Sequence, residues 1–430
     1  MNNPLLILLF ITSISINLQA QKLNRTERKI VEKVKNFDNA SLLFLEKVVN
    51  INSGTLNQNG VKEVGDLFDT AFQEIGFQTE WINMPAEMNR AGHLFASING
   101  DKGKKLLLIG HLDTVFEENS PFQTFERIND SIAYGPGAND MKGGDVVVLY
   151  ALKALADLNL LKRASITVAF TGDEESTGKP LSISRRALIE AGKKADIALG
   201  FENATGFDNA TIARRGASGW SVEVKGIRAH SSGVFNERIG AGAIFEMSRI
   251  LNEFYTEVRG EEYLTFNHGT LLGGTFIDYD KQTSSGEVFG KTNVVAQTAI
   301  VNGGLRFISE EQKENARAKM RTIVSQNLPQ TSASINFIDS YPAMGPTEGN
   351  QAVLEILSEV SQDLGFGPVT GYDPSKRGAA DISFVADYVD GLDGLGTMGN
   401  YAHTPQETVN LKTMNALIQR AAILIYRLTR

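Results

Sequence analysis

Apolar positions recur at helical spacing from residue 22 to residue 50. Ile30, Val31, Val34, Phe37, Leu42, Phe44, Leu45 and Val48 predict a helix there. Val61 to Gly76 predicts another. The period then changes. Lys105-Leu106-Leu107-Leu108-Ile109-Gly110 is a short apolar run bounded by turn signals, as in a strand buried on both faces. An apolar helix from Val146 to Leu158 follows, and Ser165 to Phe170 and Ala195 to Phe201 read as two more buried strands. Strands alternating with helices predict an α/β fold with a mostly parallel sheet.

Near Ile212 the pattern shifts. Ser221-Val222-Glu223-Val224-Lys225-Gly226 alternates strictly, so one face of that strand meets water. A helix from about Ala241 to Val258, strand-like pieces at 269–277 and 293–307, and a charged helix from Glu310 to Gln326 complete an α+β insertion with an antiparallel sheet. A strand from Ser334 to Phe337, a helix from Ala352 to Leu364, a Gly-rich stretch at 377–400 and a final helix from Leu411 to Leu428 follow. The expected division is a discontinuous domain of residues 21–212 and 327–430, interrupted by residues 213–326.

Composition narrows the chemistry. The 430 residues fit two or three domains, and 42% apolar residues supply a large core. A net charge of −8 argues against a nucleic-acid partner. With no Cys and five His, disulfides, zinc fingers and a thiol nucleophile are excluded. Any metal must be held by His and carboxylates.

Residues 1–20 carry no charged side chain, Leu5 to Ile11 is almost continuously apolar, and Leu18-Gln19-Ala20 ends on a small residue. This predicts a secretory signal peptide cleaved after Ala20, although its start lacks Lys and Arg. The run, broken by Ser13, Ser15 and Asn17, is short for a membrane span. The expected location is secreted or periplasmic, with no membrane contact after cleavage.

Three polar clusters sit just past the buried strands: Gly110-His111-Leu112-Asp113, Thr171-Gly172-Asp173-Glu174-Glu175 and Phe201-Glu202-Asn203. In open α/β sheets ligands bind outside the carboxyl ends of the strands, so these should converge. Asp140 lies in Gly137-Ala138-Asn139-Asp140-Met141-Lys142-Gly143-Gly144, and a second His in Tyr401-Ala402-His403-Thr404-Pro405-Gln406-Glu407. Two His and three carboxylates can hold two divalent cations if one carboxylate bridges, and the chemistry suits zinc. Of adjacent Glu174 and Glu175, one can serve water and the other the metal. Asp113 is placed to orient the His111 imidazole.

This set resembles the zinc exopeptidase family that includes glutamate carboxypeptidase, aminoacylase, peptidase T and succinyl-diaminopimelate desuccinylase. The resemblance spans nearly all the chain after the leader. It implies His111 on one zinc, Asp140 bridging, Glu174 as general base, and Glu175, Glu202 and His403 as further ligands. It implies a cis peptide at Asp140-Met141, and cobalt or manganese as alternatives to zinc. The insertion would be a lid that also serves dimerisation. In Arg228-Ala229-His230-Ser231-Ser232-Gly233, His230 would reach a neighbouring subunit's site and stabilise the tetrahedral oxyanion. Asn293, Arg306 and Gly378 match positions that hold a substrate carboxylate.

Two departures stand out. Gly303-Gly304-Leu305-Arg306 lacks the family's acid two residues before the Arg, and Tyr341-Pro342-Ala343 has Tyr where glutamate-releasing members carry Arg. His93 and His268 match no motif and read as packing or surface residues. The resemblance implies a two-zinc, carboxypeptidase-like exopeptidase acting next to a free α-carboxylate. An N-acyl-amino-acid amidohydrolase or a dipeptidase would use the same site.

Overall fold

The computed structural model describes residues 23–430 except Gln282, so the leader lies outside the described residues. The central sheet has six strands: Gln78–Ile82, His93–Ile98, Ala164–Thr171, Lys102–His111, Ile197–Gly200 and Gly391–Leu392, in that spatial order. The last four are mutually parallel, and the first two add antiparallel at one edge. The α/β expectation with a mostly parallel sheet is met.

The strand Lys102–His111 explains its own apolar run. Leu106 and Leu108 join the core beneath the helices Arg25–Lys35, Gln58–Glu74, Lys142–Asp157 and Leu411–Leu428. Leu107 and Ile109 face the other way, into a smaller cluster with Leu188, Ile382 and Val385. Both faces are dry, so the period-two signal vanishes from the sequence. The antiparallel strands Gln78–Ile82 and His93–Ile98 escape the sequence reading for a related reason. They are short, and their exposure follows no clean alternation.

The predicted helix over 22–50 is two helices, Arg25–Lys35 and Asp38–Val49. The break frees Phe37 to pack edge-on against Tyr150, with ring centroids 5.7 Å apart. No helix of the described residues is long and apolar enough to cross a membrane.

The insertion is a four-stranded antiparallel sheet, ordered Thr265–Gly274, Thr298–Phe307, Gly216–Lys225 and Ser332–Asp339. Helices Ala243–Glu253 and Glu310–Ser325 cover one face, burying Trp220, Val222, Val224, Ile250, Val301, Leu305 and Met320. The strand Ser332–Asp339 was expected to rejoin the parallel-sheet domain after residue 326. It pairs along its whole length with Gly216–Lys225 instead, so the inserted unit ends near Asp339. Its alternating burial is that of a half-solvated edge, which fits this sheet and not the doubly covered one. A separate hairpin, Phe276–Asp280 with Ser285–Phe289, stands on this unit.

The two chain crossings lie side by side. Arg214 and Met344 exchange main-chain bonds of 2.8 and 3.0 Å, and the Ala217 N–H donates to the Tyr341 carbonyl at 2.8 Å.

Candidate metal centre

The three clusters do converge. His111 ends its strand, Glu174 and Glu175 follow Thr171, and Glu202 follows Gly200, all at the carboxyl ends of parallel strands. Asp140 arrives from the turn before the helix Lys142–Asp157, and His403 from the loop before the last helix. The side chains form three overlapping groups: His111 with Asp140 and Glu202, Asp140 with Glu175 and His403, and His111 with Glu174 and Glu175. His111 Nε2 is 3.5 Å from Asp140 Oδ1 and 3.7 Å from Glu202 Oε1. His403 Nε2 is 3.1 Å from Asp140 Oδ2 and 3.2 Å from Glu175 Oε2. Asp140 therefore offers one oxygen to each imidazole. The Asp140–Met141 peptide is cis.

Charge here is out of balance. Burial pushes the Glu174 carboxyl well above its usual range, and burial together with the nearby Asp140 charge pushes Glu202 to about 8. Burial presses Asp140 the same way, but His111 and His403 outweigh it and hold Asp140 below the carboxylate range. Hydrogen bonding to Asp140 and Glu175 pushes His403 up to about 11. Four acids around two imidazoles are short of positive charge. Among the described residues, buried His111 Nε2 and Glu175 Oε1 have no hydrogen-bond partner. The His111 ring nitrogen Nδ1 sits 3.0 Å from the Asp113 carbonyl, which suits a donor there and leaves Nε2 as a bare lone pair. Such donors fit a pair of divalent cations with Asp140 between them.

The cluster's acids are held by their main chains. Asp113 Oδ1 accepts from the Glu174 N–H at 3.0 Å, and Oδ2 from the Glu175 N–H at 3.1 Å and from Thr55 Oγ1 at 2.6 Å. Glu407 accepts from the N–H groups of Asn139 at 2.8 Å and Asp140 at 3.0 Å. Asp393 Oδ1 accepts from the Glu202 N–H at 3.3 Å, while its Oδ2 takes Arg214 Nε at 2.6 Å. The N–H of each of the four acids is thus gripped by a carboxylate from a distant part of the chain. Asp113 also lies against His111, its carbonyl 3.0 Å and its Oδ1 3.4 Å from Nδ1. Its carbonyl, not its carboxylate, makes the shorter bond to His111, and the carboxylate carries the Glu174–Glu175 turn.

Beneath that turn Arg185 joins Asp173 and Asp381, the latter at 2.7 Å. Ser184 Oγ donates to Asp173 at 2.8 Å. His93 is fully buried, 2.8 Å from the Ser184 carbonyl and accepting from the Gly172 N–H at 3.2 Å. His268 packs edge-on to Trp220. Neither joins the cluster. Glu407, Asp393, Arg185 and Arg214 were missed in the sequence. Only Glu407 had a signal, four residues after His403, whereas the others are ordinary charged residues until the fold pairs them.

The remaining candidates stand apart. His230 is exposed and meets Ser232 Oγ at 2.9 Å, and its chain pairs with Val294, so Asn293 lies beside it. Arg306 is exposed on the inserted sheet, opposite Ala217 and Thr265. Among the described residues no hydrogen bond or ion pair links these three to the cluster. Gly378 is one step removed, its carbonyl accepting from Arg214 Nη1 at 2.9 Å. No atom lies within 4 Å of where its Cβ would be, so space does not require glycine there.

Asp113→Ala is expected to leave two amides and a hydroxyl unpaired and to weaken metal affinity roughly 10- to 100-fold. Competition with a chelator measures this, and unchanged affinity would remove Asp113 from the centre's support.

The description Peptidase family M20/M25/M40 matches residues 107–427. Carboxypeptidase G2 of Pseudomonas sp. strain RS-16 is 26% identical over 392 residues, covering 90% of this chain and 88% of the relative. Succinyl-diaminopimelate desuccinylase of Rickettsia bellii strain RML369-C is 25% identical over 395 residues, covering 87% and 93%. Among solved structures, aminopeptidase PepT of Bacillus cereus superposes with a TM-score of 0.71 at 18% identity, covering 93% of this chain and 99% of that one. A dinuclear metal binding peptidase of Bacillus subtilis superposes with a TM-score of 0.62 at 15% identity, covering 91% and 98%. With the family match spanning most of its length, the chain belongs to peptidase family M20/M25/M40 and is a metallopeptidase.

Proposed function

We propose that this metallopeptidase is a two-zinc exopeptidase that hydrolyses the amide next to a free C-terminal carboxylate, as in a carboxypeptidase. The observation that carries the dinuclear reading is Asp140, whose two oxygens face two different imidazoles. His111 and Glu202 would hold one ion, Glu175 and His403 the other, with Asp140 shared. Cobalt or manganese suits the same donors. When bound, the ions would lower the pKa of a water and polarise the scissile carbonyl. Glu174 takes the proton from the attacking water and returns it to the leaving nitrogen as the carbon–nitrogen bond breaks. Its buried setting, which favours the protonated form, suits that second task. Asn293 and Arg306 would hold the substrate carboxylate beside the Gly378 loop, the guanidinium binding it through two parallel bonds. An N-acyl-amino-acid amidohydrolase is the second reading, favoured by Tyr341 in place of an Arg that would hold a glutamate side chain.

The reading includes a homodimer through the inserted unit. Strand Thr265–Gly274 is the sheet's edge, with Leu271 exposed, and the neighbouring helix Ala243–Glu253 exposes Ile244 and Phe245. An apolar open edge favours pairing with a second copy about a twofold axis. His230, unbonded to its own subunit's cluster among the described residues, would then serve its partner's oxyanion. The reading also includes export after cleavage at Ala20.

Glu174→Gln should cut turnover of N-blocked dipeptides roughly 100- to 10,000-fold, leaving a measurable residual rate, while metal content is unchanged, and near-normal turnover would reassign the base. Hydrolysis restricted to free-amine dipeptides would overturn the carboxypeptidase reading. Light scattering should give a dimer for the parent and a monomer for Phe245→Asp, and a monomeric parent rules the dimer out. Mass spectrometry of the exported protein should find Gln21 at its start, and a retained leader would contradict export.

A further inference from the structure

The Glu174 peptide is held from both sides. Asp113 takes its N–H, as described, and the Tyr341 hydroxyl donates to its carbonyl at 2.7 Å. The same hydroxyl lies 2.7 Å from Thr177 Oγ1 in the turn that follows Glu175. The Tyr341 ring packs against Phe384, with centroids 4.9 Å apart. Its main chain belongs to the root of the inserted unit, where its carbonyl accepts from the Ala217 N–H at 2.8 Å. Ala217 is the second residue of the strand Gly216–Lys225, and Tyr341 follows the last inserted strand by two residues. One side chain therefore ties the main chain of the candidate base to the point where the inserted unit leaves and returns.

We propose that Tyr341 is a positioning residue that fixes the Glu174 carboxylate relative to the root of the inserted unit. The inference rests on Glu174 being the base. A carboxylate that must reach both a water and a leaving nitrogen tolerates little error, and a misplacement near 1 Å can cost about 100-fold in rate. With the Glu174 N–H and C=O both bonded, neither peptide flanking Glu174 can rotate without breaking a partly buried hydrogen bond. A shift of the inserted unit at its root would reach Glu174 through the same hydroxyl.

Tyr341→Phe removes only the oxygen and keeps the ring on Phe384. Measured on the metal-loaded full chain with N-blocked dipeptides, kcat should fall roughly 10- to 100-fold while KM stays within about twofold. Metal content and melting temperature should match the parent. In a Glu174→Gln background the same change should alter the residual rate by less than about twofold, because Tyr341 acts through Glu174. An unchanged kcat overturns the proposal, as does a loss that persists in the Gln background or accompanies metal loss. Crystal structures of parent and Tyr341→Phe give a reading independent of turnover. The Glu174 carboxylate should lose its single position in the variant, and an equally ordered, unmoved carboxylate overturns the proposal. If the parent hydrolyses no member of the panel, the functional reading fails, and the structures alone decide the position of Glu174.

Discussion

Crowding of like charge at one end of a sheet is the constraint around which this molecule is arranged. Asp140, Glu174, Glu175 and Glu202 meet within reach of two imidazoles in a half-buried pocket. Burying uncompensated carboxylates is expensive, and three of them respond by favouring protonation. The surroundings add further acids. Asp113, Glu407 and Asp393 each spend their oxygens on the main-chain N–H groups of the cluster's residues. Arg214 offsets one of them and Arg185 steadies the turn below. The remaining deficit of positive charge is what divalent cations supply.

Gripping peptides rather than side chains has a mechanical consequence. Side-chain oxygens of Asp140, Glu175 and Glu202 face the two imidazoles, where the proposed ions would sit, while their N–H groups are held. The supporting carboxylates come from three different loops, so the centre forms only when the whole parallel-sheet domain has closed. The cluster is then a product of tertiary structure with little local stability of its own.

The inserted unit meets this domain at a narrow root, where Arg214 to Ala217 and Tyr341 to Met344 run side by side. Arg214 reaches Asp393 and Gly378 from there, and Tyr341 reaches Glu174. Both outgoing and returning crossings thus touch the peptides that shape the centre. Movement of the inserted unit has a direct path to the chemistry, with no long chain of intermediaries.

The strongest sequence signals were those of local origin. A run such as Leu106 to Ile109 declares a doubly buried strand, and a His or acid just past its end declares a ligand crevice. His111, Glu174, Glu175 and Glu202 were legible on those grounds, and the order of motifs made the family resemblance legible as well. The strand read over Ser334 to Phe337 belongs to the inserted sheet and not to the parallel-sheet domain, because its alternation specifies a half-solvated strand but not its neighbour. Asp393 gave no signal and Glu407 only its place four residues after His403, since nothing near either in the chain announces the amides they bind. Local pattern determined which segments are strands and which side chains can hold metal. Only the tertiary fold decided that Asp113 supports a turn, that Tyr341 touches Glu174, and that His230 stands clear of the cluster. Hydrogen-bond partners far apart in sequence leave no periodic trace, because their pairing depends on distances that exist only once the sheet is assembled.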